Sequence, residues 1–356
     1  MKLSFKCLPV GNLPYENNEL ATKLTIKLFD NIPFLADLPN ADDEDNLLNR
    51  TLEGVPGFKL KHKRVIVEDS NRHKLKLTQM DAIFNNPDID KLEEFKFHTF
   101  FLDRYLQIIK RIKPRETVVN LLGPLTIAQL IENKEASQIL ADKFYRKLFI
   151  QTVAIRALWI IHRIKEVSPD TLPIIILEEP LLGRFGDLKR ENEELTRDII
   201  VNMYAKITQK IKEFHGAVGI QCFEKCDWKI PIDAGVDLIS FDAYTNPNNI
   251  NIIAEHVNNF LMGGGRINWA IVPVMTEARV KELTIDKLYD RFIKTVEALV
   301  LAGVSEYYAY NRASVSIQGN TDKLPLIFAE KAIILAKQLS RKIPTIKAHP
   351  TPDSNQ

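Results

Sequence analysis

Eight short apolar runs, separated by long amphipathic stretches, constrain this chain more than any other feature of its sequence. Apolar runs that end in turn residues are typical of buried parallel strands, and the amphipathic stretches between them are typical of covering helices. The alternation therefore predicts strands followed by helices. The predicted strands are 4–10, 32–38, 117–122, 172–178, 217–222, 236–242, 267–273 and 306–311.

The intervening stretches have apolar residues at three- and four-residue spacing, which predicts helices. Glycines at the ends of two of them, "GGG" at 263–265 and "AGV" at 302–304, are typical of a left-handed helix cap. The predicted helices are 136–167, 191–214, 249–262, 284–302 and 321–342.

Eight strands with following helices predict an α/β fold, a single-domain (β/α)8 TIM barrel over residues 1–342. Residues 57–113 interrupt the alternation between the second and third strands. We predict a hairpin there, with "FKLKHKRVIVED" turning at Ser70 into "HKLKLT", and a long helix over 88–112. The insertion is either a flap over the barrel mouth or padding at its bottom. The polar tail 343–356 is predicted to be disordered.

Composition narrows the classes of partner. The 356 residues are 45% hydrophobic and 26% charged with a net charge of +2, so we expect neither nucleic acid nor membrane as partner. No apolar stretch predicts a signal peptide or a membrane span, and only three cysteines are present. We therefore expect a cytoplasmic protein that acts on a small molecule.

Reactive groups of such barrels lie where the strands end, and there the sequence places mainly polar or turn-forming residues. Cys222, Asp242 and Glu178 end three of the predicted strands, so they are expected to approach one another. These three are the predicted catalytic residues. The predicted substrate-binding residues are Asn12, Tyr15, Gly123, Glu179, Gln221, Trp228, Tyr244, Asn311 and Ser314.

The strand ends also carry a series of short motifs in a fixed order. They are "GNLPY" (11–15), "IPFLADLP" (32–39), "GPLT" (123–126), "EEP" (178–180), "GIQCFEKCDW" (219–228), "SFDAY" (240–244), "NWAIVP" (268–273) and "NRASV" (311–315). In order and spacing this series resembles the superfamily of uroporphyrinogen decarboxylase and cobalamin-independent methionine synthase, and most closely its stand-alone methionine-synthase-like barrels. The resemblance implies methyl transfer to a small thiol or related acceptor, from a corrinoid or folate donor.

The resemblance also implies a zinc site, whose ligand positions have changed here. Gln221 stands at the histidine, Phe223 at the second cysteine and Ser314 at the last cysteine of the pattern. An amide and a hydroxyl are poor zinc ligands, so the predicted site is degenerate. Its remaining candidate ligands are Cys222, Asp242 and Cys226. A redox pair, an iron–sulfur site and two purely structural cysteines are the other interpretations.

Three functions remain open from the sequence. The first is a methyltransferase, and we expect the chain to be an enzyme of this type. The second is a catalytically impaired barrel that binds a small molecule or partners an enzyme. The third is a decarboxylase like that of uroporphyrinogen, for which the first loop "GNLPYENNE" offers acids and amides instead of the arginines such a substrate needs.

Overall fold

The structure is a computed structural model that describes residues 3–17, 21, 26–29, 32–40, 46–61, 64–67, 71–96, 100–132 and 134–347. Most of the predicted tail, 348–356, and the predicted turn at Ser70 lie outside the described residues.

Within the described residues, a seven-stranded parallel sheet forms the centre of the fold. The strands of the fold are β1 (Phe34–Leu35), β2 (Phe58–Lys61), β3 (Arg64–Val67), β4 (Glu116–Leu122), β5 (Leu172–Glu178), β6 (Ala217–Cys222), β7 (Leu238–Asp242), β8 (Arg266–Val272) and β9 (Ala313–Ile317). The order of the strands in the parallel sheet is β1-β4-β5-β6-β7-β8-β9, and β2 and β3 pair separately as an antiparallel hairpin.

Helices flank the sheet and connect its strands. The α-helices are α1 (Leu47–Leu52), α2 (Asn71–Asn85), α3 (Ile89–Leu92), α4 (Phe100–Ile112), α5 (Pro124–Leu130), α6 (Ala136–Ala141), α7 (Lys143–Val167), α8 (Phe185–Glu191), α9 (Arg197–Glu213), α10 (Lys229–Asp233), α11 (Ala254–Met262), α12 (Glu277–Glu282), α13 (Ile285–Leu301), α14 (Glu306–Asn311) and α15 (Leu326–Lys342). Short 3₁₀ turns cover Glu93–Phe95, Pro180–Arg184 and Asn251–Ile253. Among the described residues, no helix combines the length and apolar character that crossing a bilayer requires.

The first chain segment contacts both edges of the sheet. Cys7 forms a parallel bridge to Val315 of β9, and Asn12 forms another to Asp37, just past β1. The Leu8 amide donates to the Val315 carbonyl at 2.9 Å, and the Leu13 amide donates to the Asp37 carbonyl at 3.0 Å. The seven-stranded sheet therefore curls until one segment reaches its two edges, an arrangement compatible with a TIM-barrel-like fold.

The two faces of the sheet have different partners. On the outer face, Phe241 of β7 stacks against Trp269 of β8 with ring centroids 5.2 Å apart, and Trp269 meets Phe292 of α13 at 6.3 Å. Side chains alternate between faces along a strand, so the neighbours of Phe241 and Trp269 point to the inner face. That inner face is polar between β7 and β9, where the Asn268 amide donates to the hydroxyls of Ser240 at 2.9 Å and Ser316 at 2.8 Å.

Several element predictions are wrong. Residues 306–311 form helix α14, and the last strand is Ala313–Ile317. The aromatic run favours a strand by composition, but Tyr310 packs on Phe292 of α13 at 6.4 Å, so tertiary packing prevails. Residues 4–10 make only isolated bridges instead of a regular strand.

The insertion also differs from its prediction. The hairpin pairs Lys61 with Arg64, and "HKLKLT" lies within helix α2. The predicted helix over 88–112 is divided into α3, the 3₁₀ turn and α4. A lysine-rich alternation such as "HKLKLT" fits either period, and the helical period is the one that the fold uses.

Candidate functional site

Glu178 ends strand β5 and lies half-buried at the carboxyl end of the sheet. Its Oε1 accepts a 2.7 Å hydrogen bond from Nδ2 of Asn120 on β4. Burial, and after it the nearby charge of Asp37, raise the pKa of Glu178 from 4.5 to about 7, against the opposing effects of Asn120 and Arg50. A carboxyl group with such a pKa exchanges protons at neutral pH, as a general acid or base must.

Arg50 and Asp37 form a buried ion pair beside Glu178. Arg50 Nη2 lies 2.5 Å from Asp37 Oδ1, and its Nη1 donates to the Leu35 carbonyl at 2.9 Å. The same Nη1 reaches the Asn120 carbonyl at 3.5 Å, so one guanidinium links the strand ends of β1 and β4. Burial raises the pKa of Asp37 despite this pairing. Helix α1 thus supplies a cation to a cluster of carboxyl groups.

Glu179 is fully buried and its carboxylate caps a helix. It accepts hydrogen bonds from the amides of Leu125 (3.0 Å) and Thr126 (2.9 Å) in the first turn of α5. The Thr126 and Tyr204 hydroxyls donate to it as well, at 2.7 and 2.9 Å. Burial raises the pKa of Glu179 to about 7 against these four bonds. Gly123 makes room for it, because a Cβ there would lie 2.1 Å from the Glu179 carboxyl carbon.

Asp242 ends β7, which lies two strands away from β5 in the sheet. Its Oδ1 accepts from the amides of Tyr244 at 3.0 Å and Thr245 at 2.8 Å, and its Oδ2 accepts from Gln318 Nε2 at 2.5 Å. Arg291 of α13 donates to the Tyr244 carbonyl and lies 4.2 Å from the centre of the Tyr244 ring. The carboxylate of Asp242 therefore organises the loop after β7 and ties it to the loop after β9.

Gln221 of β6 lies between these groups. Strand register pairs it with Glu178 on one side and Ser240 on the other, so all three share the inner face. Its side chain is only 5% exposed, and within the described residues its Oε1 has no hydrogen-bond partner. Leaving a buried carbonyl unpaired costs about 1–3 kcal/mol. The Oε1 atom of Gln221 is therefore available to accept a hydrogen bond from a bound molecule.

The two cysteines of the C-x3-C motif lie on the other face. Cys222 is in register with Phe241, whose ring belongs to the aromatic cluster between sheet and helices. The Cys222 thiol donates to the Glu224 carbonyl at 3.6 Å. Burial, and then the hydrogen bond with Cys222, raise the pKa of the Cys226 thiol. The structure thus brings Cys222 and Cys226 together, but apart from Asp242 and Glu178.

The residues at the zinc positions that the resemblance implies do not fit a zinc ion. Gln221 offers an amide, and Cys222 and Asp242 point to opposite faces of the sheet. The Ser314 hydroxyl is bonded to Asn268 Oδ1 at 3.2 Å and to the Ile267 carbonyl at 3.3 Å. Over the part of the chain that the structure describes, no three His, Cys, Asp or Glu side chains converge as metal ligands. These side chains therefore form no zinc site within the described residues.

Four predicted binding residues lie away from this cluster. Tyr15 is buried and donates to Glu330 of α15 at 3.2 Å, and burial raises its pKa. Trp228 packs on Phe241, with ring centroids 6.1 Å apart. Asn12 contributes its backbone, whose amide donates to Asn320 Oδ1 at 2.9 Å. Asn311 precedes β9 instead of following it, so it lies at the amino end of that strand, where its amide donates to the Ile346 carbonyl at 2.8 Å.

Other residues of the site were not predicted. Asp37, Arg50, Asn120, Gln318 and Arg291 contribute to it as described above. Gln318 was missed because the last strand was placed too early, and a strand at 313–317 would have indicated it as a strand-end residue. Arg50 and Arg291 lie on helices, and no local sequence pattern distinguishes them from surface arginines.

Comparison with known proteins reveals a structural likeness. The chain is similar to a methyltransferase from Methanosarcina mazei, with a TM-score of 0.53 and 11% identity over 95% of this chain and 94% of that one. A Bacteroidetes-affiliated GH5 cellulase linked with a polysaccharide utilization locus aligns with a TM-score of 0.41 and 9% identity over 73% of this chain and 82% of that one. No family model matches the sequence, and no curated protein matches it. The likeness to the methyltransferase shows the fold.

Proposed function

We propose that this chain is a methyltransferase-like (β/α)8 barrel that transfers a methyl group to a small acceptor bound at the carboxyl end of the sheet. Glu178 is the proton acceptor in this proposal. The observation that carries it is the half-buried carboxyl group of Glu178, held by Asn120 and with its pKa raised to about 7, at the strand ends of the fold. The likeness to a methyltransferase over 95% of the chain supports it.

The reaction needs a general base that is held in a fixed position at the carboxyl end of the sheet. The acceptor atom attacks the methyl carbon, the bond from carbon to the donor breaks, and its electron pair leaves with the donor. The proton of the acceptor passes to a carboxylate oxygen of Glu178. Asn120 holds the carboxylate in place, and the Arg50–Asp37 pair sets the charge around it. As donor we propose a methyl corrinoid or a methyl folate.

The eighth strand and the flap are part of the same proposal. The bridges from residues 7 and 12 to the two sheet edges support closure of the barrel by the first segment. The hairpin of the insertion also contacts the chain that follows β4: helix α5 comes directly after β4, and just past α5 the Glu132 amide donates to the Val65 carbonyl at 2.8 Å. This contact supports a flap on the mouth side, because β4 ends at that side.

The test is a turnover assay on the intact protein. Methylcobalamin and methyltetrahydrofolate are each incubated with a panel of small thiols, amines and alcohols, and methylated products are detected by mass spectrometry. Glu178→Gln is expected to lower the rate about 10²–10⁴-fold. Glu191→Gln, an exposed glutamate at the end of α8, is the control and should match the wild type. Turnover that survives Glu178→Gln would contradict the assigned role.

A second function, a barrel that binds a small molecule without turning it over, is favoured by one observation. Buried side-chain oxygens of Asn120, Gln221 and Gln318 have no partner within the described residues, as in a site built for binding. Ligand-induced thermal stabilisation together with no product from either donor would favour this function over methyl transfer.

A further inference from the structure

A groove between helices α2, α7 and α9 opens to solvent. Its volume is about 750 Å³, which lies within the range of small-molecule sites. The lining positions on α7 and on α9 recur at spacings of three and four residues, so each set forms one face of its helix. Phe84 and its neighbours at the end of α2 add a third face. None of the described residues that line the groove belongs to the site around Glu178.

The groove carries more positive than negative charge. Among the described residues that line it, four side chains are cationic and two are acidic. One of the acids is already engaged, because Asp81 pairs with Lys147 and accepts a hydrogen bond from Gln151. Lys143 of α7 and Lys206 of α9 form no ion pair with any described residue. Their ammonium groups are therefore available to an anion.

The fourth cation, Arg146, is held in place without being neutralised. Its Nη1 donates to two carbonyls at the end of α6, one of them at 2.7 Å, and no carboxylate of the described chain pairs with it. Lys143, Arg146 and Lys206 together form the cation cluster, and Asp198 is the one acid left to oppose it among the described lining residues. Two positive charges thus remain uncompensated. A phosphate monoester, with a charge of about −1.5 to −2 at pH 7 and three acceptor oxygens, matches them better than a carboxylate does.

The rest of the lining suits a planar ring. Phe84 is half-buried, with Lys210 Nζ 5.4 Å from the centre of its ring, and Met203 is buried beside the groove. Asn85 and Asn202 contribute exposed side-chain amides, each of which can donate and accept hydrogen bonds. A heterocycle can pack against Phe84 and exchange hydrogen bonds with these amides. A hydrocarbon chain would use the apolar contacts alone.

We propose that this groove binds a phosphate monoester attached to a planar heterocycle, that is, a nucleotide, at a second site of the molecule. The phosphate lies at the cation cluster, and the heterocycle packs against Phe84. The site is separate from the mouth of the barrel, because α9 directs another side chain, Tyr204, toward the sheet, where its hydroxyl donates to Glu179 at 2.9 Å. Nucleotide binding at the groove therefore does not depend on the proposed function.

The experiment titrates four probes into the full chain without a methyl donor. The probes are adenosine 5′-monophosphate (AMP), adenosine, inorganic phosphate and n-hexyl phosphate, and calorimetry and ligand-observed NMR measure their binding. We expect AMP to bind about tenfold more tightly than each of the others, since only AMP has both the phosphate and the ring. Its affinity should fall between 50 and 500 mM NaCl, because salt screens charges at an open surface.

Variants of exposed residues locate the site without disturbing the core. The double variant Lys143→Met/Lys206→Met should lower AMP affinity about tenfold, whereas Lys206→Arg keeps the charge and should retain it. Asp198→Asn removes the opposing acid and should raise AMP affinity, which a merely structural effect would not do. Phe84→Leu should weaken AMP and leave phosphate binding unchanged. Lys189→Met, an exposed position on α8 outside the groove, is the control and should match the wild type.

Several results would overturn the nucleotide site. They are equal binding of AMP and adenosine, equal binding of AMP and n-hexyl phosphate, and wild-type affinity for AMP in the double lysine variant. Glu178→Gln should bind AMP as the wild type does, and loss of AMP binding in that variant would place the ligand at the mouth and also overturn the groove. Methyl transfer, whether it is found or not, decides the proposed function alone.

Discussion

At the scale of single residues, two adjacent glutamates have the same raised pKa and different tasks. Glu178 is half-buried among side chains of other strand ends, whereas Glu179 is fully buried and receives four hydrogen bonds from its surroundings. The sequence "EEP" indicated both as functional. It could not separate them, because successive residues at a strand end point in opposite directions and only the fold shows which direction is open.

Replacing Asp37 tests the charge cluster. Asp37→Asn removes a negative charge that raises the pKa of Glu178, and it no longer offsets the charge of the Arg50 cation, which lowers that pKa. Both changes act in one direction, so the Glu178 pKa should fall. Carboxyl-carbon NMR of Glu178 across pH 4–9 measures it. Asp187→Asn, an exposed position on α8, should leave the titration unchanged, and a Glu178 pKa that rose in Asp37→Asn would contradict the cluster.

The pH dependence of stability tests Glu179. Its folded pKa of about 7 exceeds the usual 4.5, so the folded chain keeps a proton that the unfolded chain releases. This contribution is complete below about pH 4.5 and is lost as the pH rises to about 7, which corresponds to about 2 kcal/mol between pH 5.5 and pH 7.5. Urea unfolding at the two pH values should show the decrease in wild type. A decrease of the same size in Glu179→Gln would contradict the assignment.

At the scale of elements, the carboxyl end of β4 and the start of α5 depend on one close approach. Gly123 lies where a Cβ would clash with the Glu179 carboxyl group, so helix α5 begins against a buried acid instead of a side-chain cap. The sequence "GPLT" indicated a turn, and the structure shows why a glycine is needed at its first position. A missing side chain at this position admits the carboxylate that binds the first amides of the helix.

Two glycine substitutions form a matched pair. Gly123→Ala should lower the free energy of unfolding by about 1–3 kcal/mol, because the new methyl group overpacks a buried site. Gly186→Ala places the same methyl group within helix α8, where it meets no atom within 4 Å beyond its chain neighbours and the backbone of its own helix, and should raise the free energy of unfolding by about 0.5–1 kcal/mol. Urea denaturation of both variants provides the comparison. Equal effects at the two positions would be inconsistent with the close approach at Gly123.

Elements were predictable where one physical signal dominated. Strands 172–178 and 217–222 have the predicted bounds, since uninterrupted apolar runs leave a buried strand as the simplest choice. Residues 306–311 were mispredicted because aromatic residues fit a strand as well as the apolar side of a helix. Because of this error, Asn311 and Ser314 were predicted at the wrong end of the last strand, and Gln318 was not predicted as a site residue. One misplaced strand therefore accounts for three of the errors in the predicted site.

At the scale of the whole molecule, the alternation of strands and helices along the chain predicted a parallel sheet. It did not predict how the first segment contacts the two edges of that sheet. Arg266 joins the first segment to β9 at the amino end, because its guanidinium donates to the carbonyls of Ala313 and Leu3, both at 2.8 Å. Burial lowers the pKa of Arg266 to about 10. An arginine within the first residues of a strand gives no sequence signal for such a role, since the partners lie 47 and 263 residues away.

Removing the Arg266 guanidinium should weaken the contact between the first segment and β9. Arg266→Met is expected to lower the free energy of unfolding by about 2–4 kcal/mol, because two hydrogen bonds from a charged donor are lost. Hydrogen exchange should accelerate at the Leu8 amide, whose bond to Val315 joins the first segment to β9. Arg190→Met, which removes an exposed surface pair, should leave both measurements unchanged. Unchanged exchange at Leu8 in Arg266→Met would show that the edge holds without this arginine.

The aromatic cluster behind β7 and β8 gives the protein an optical reporter of its own. Trp228 and Trp269 both lie against Phe241, the residue before Asp242, while Trp159 lies on α7 and donates to Glu93 at 2.9 Å. In a Trp159→Phe variant, all remaining indole emission would originate from the back of the strand that ends at Asp242. A molecule that binds at the loop after β7 would then change the tryptophan fluorescence, so its binding could be measured without a label.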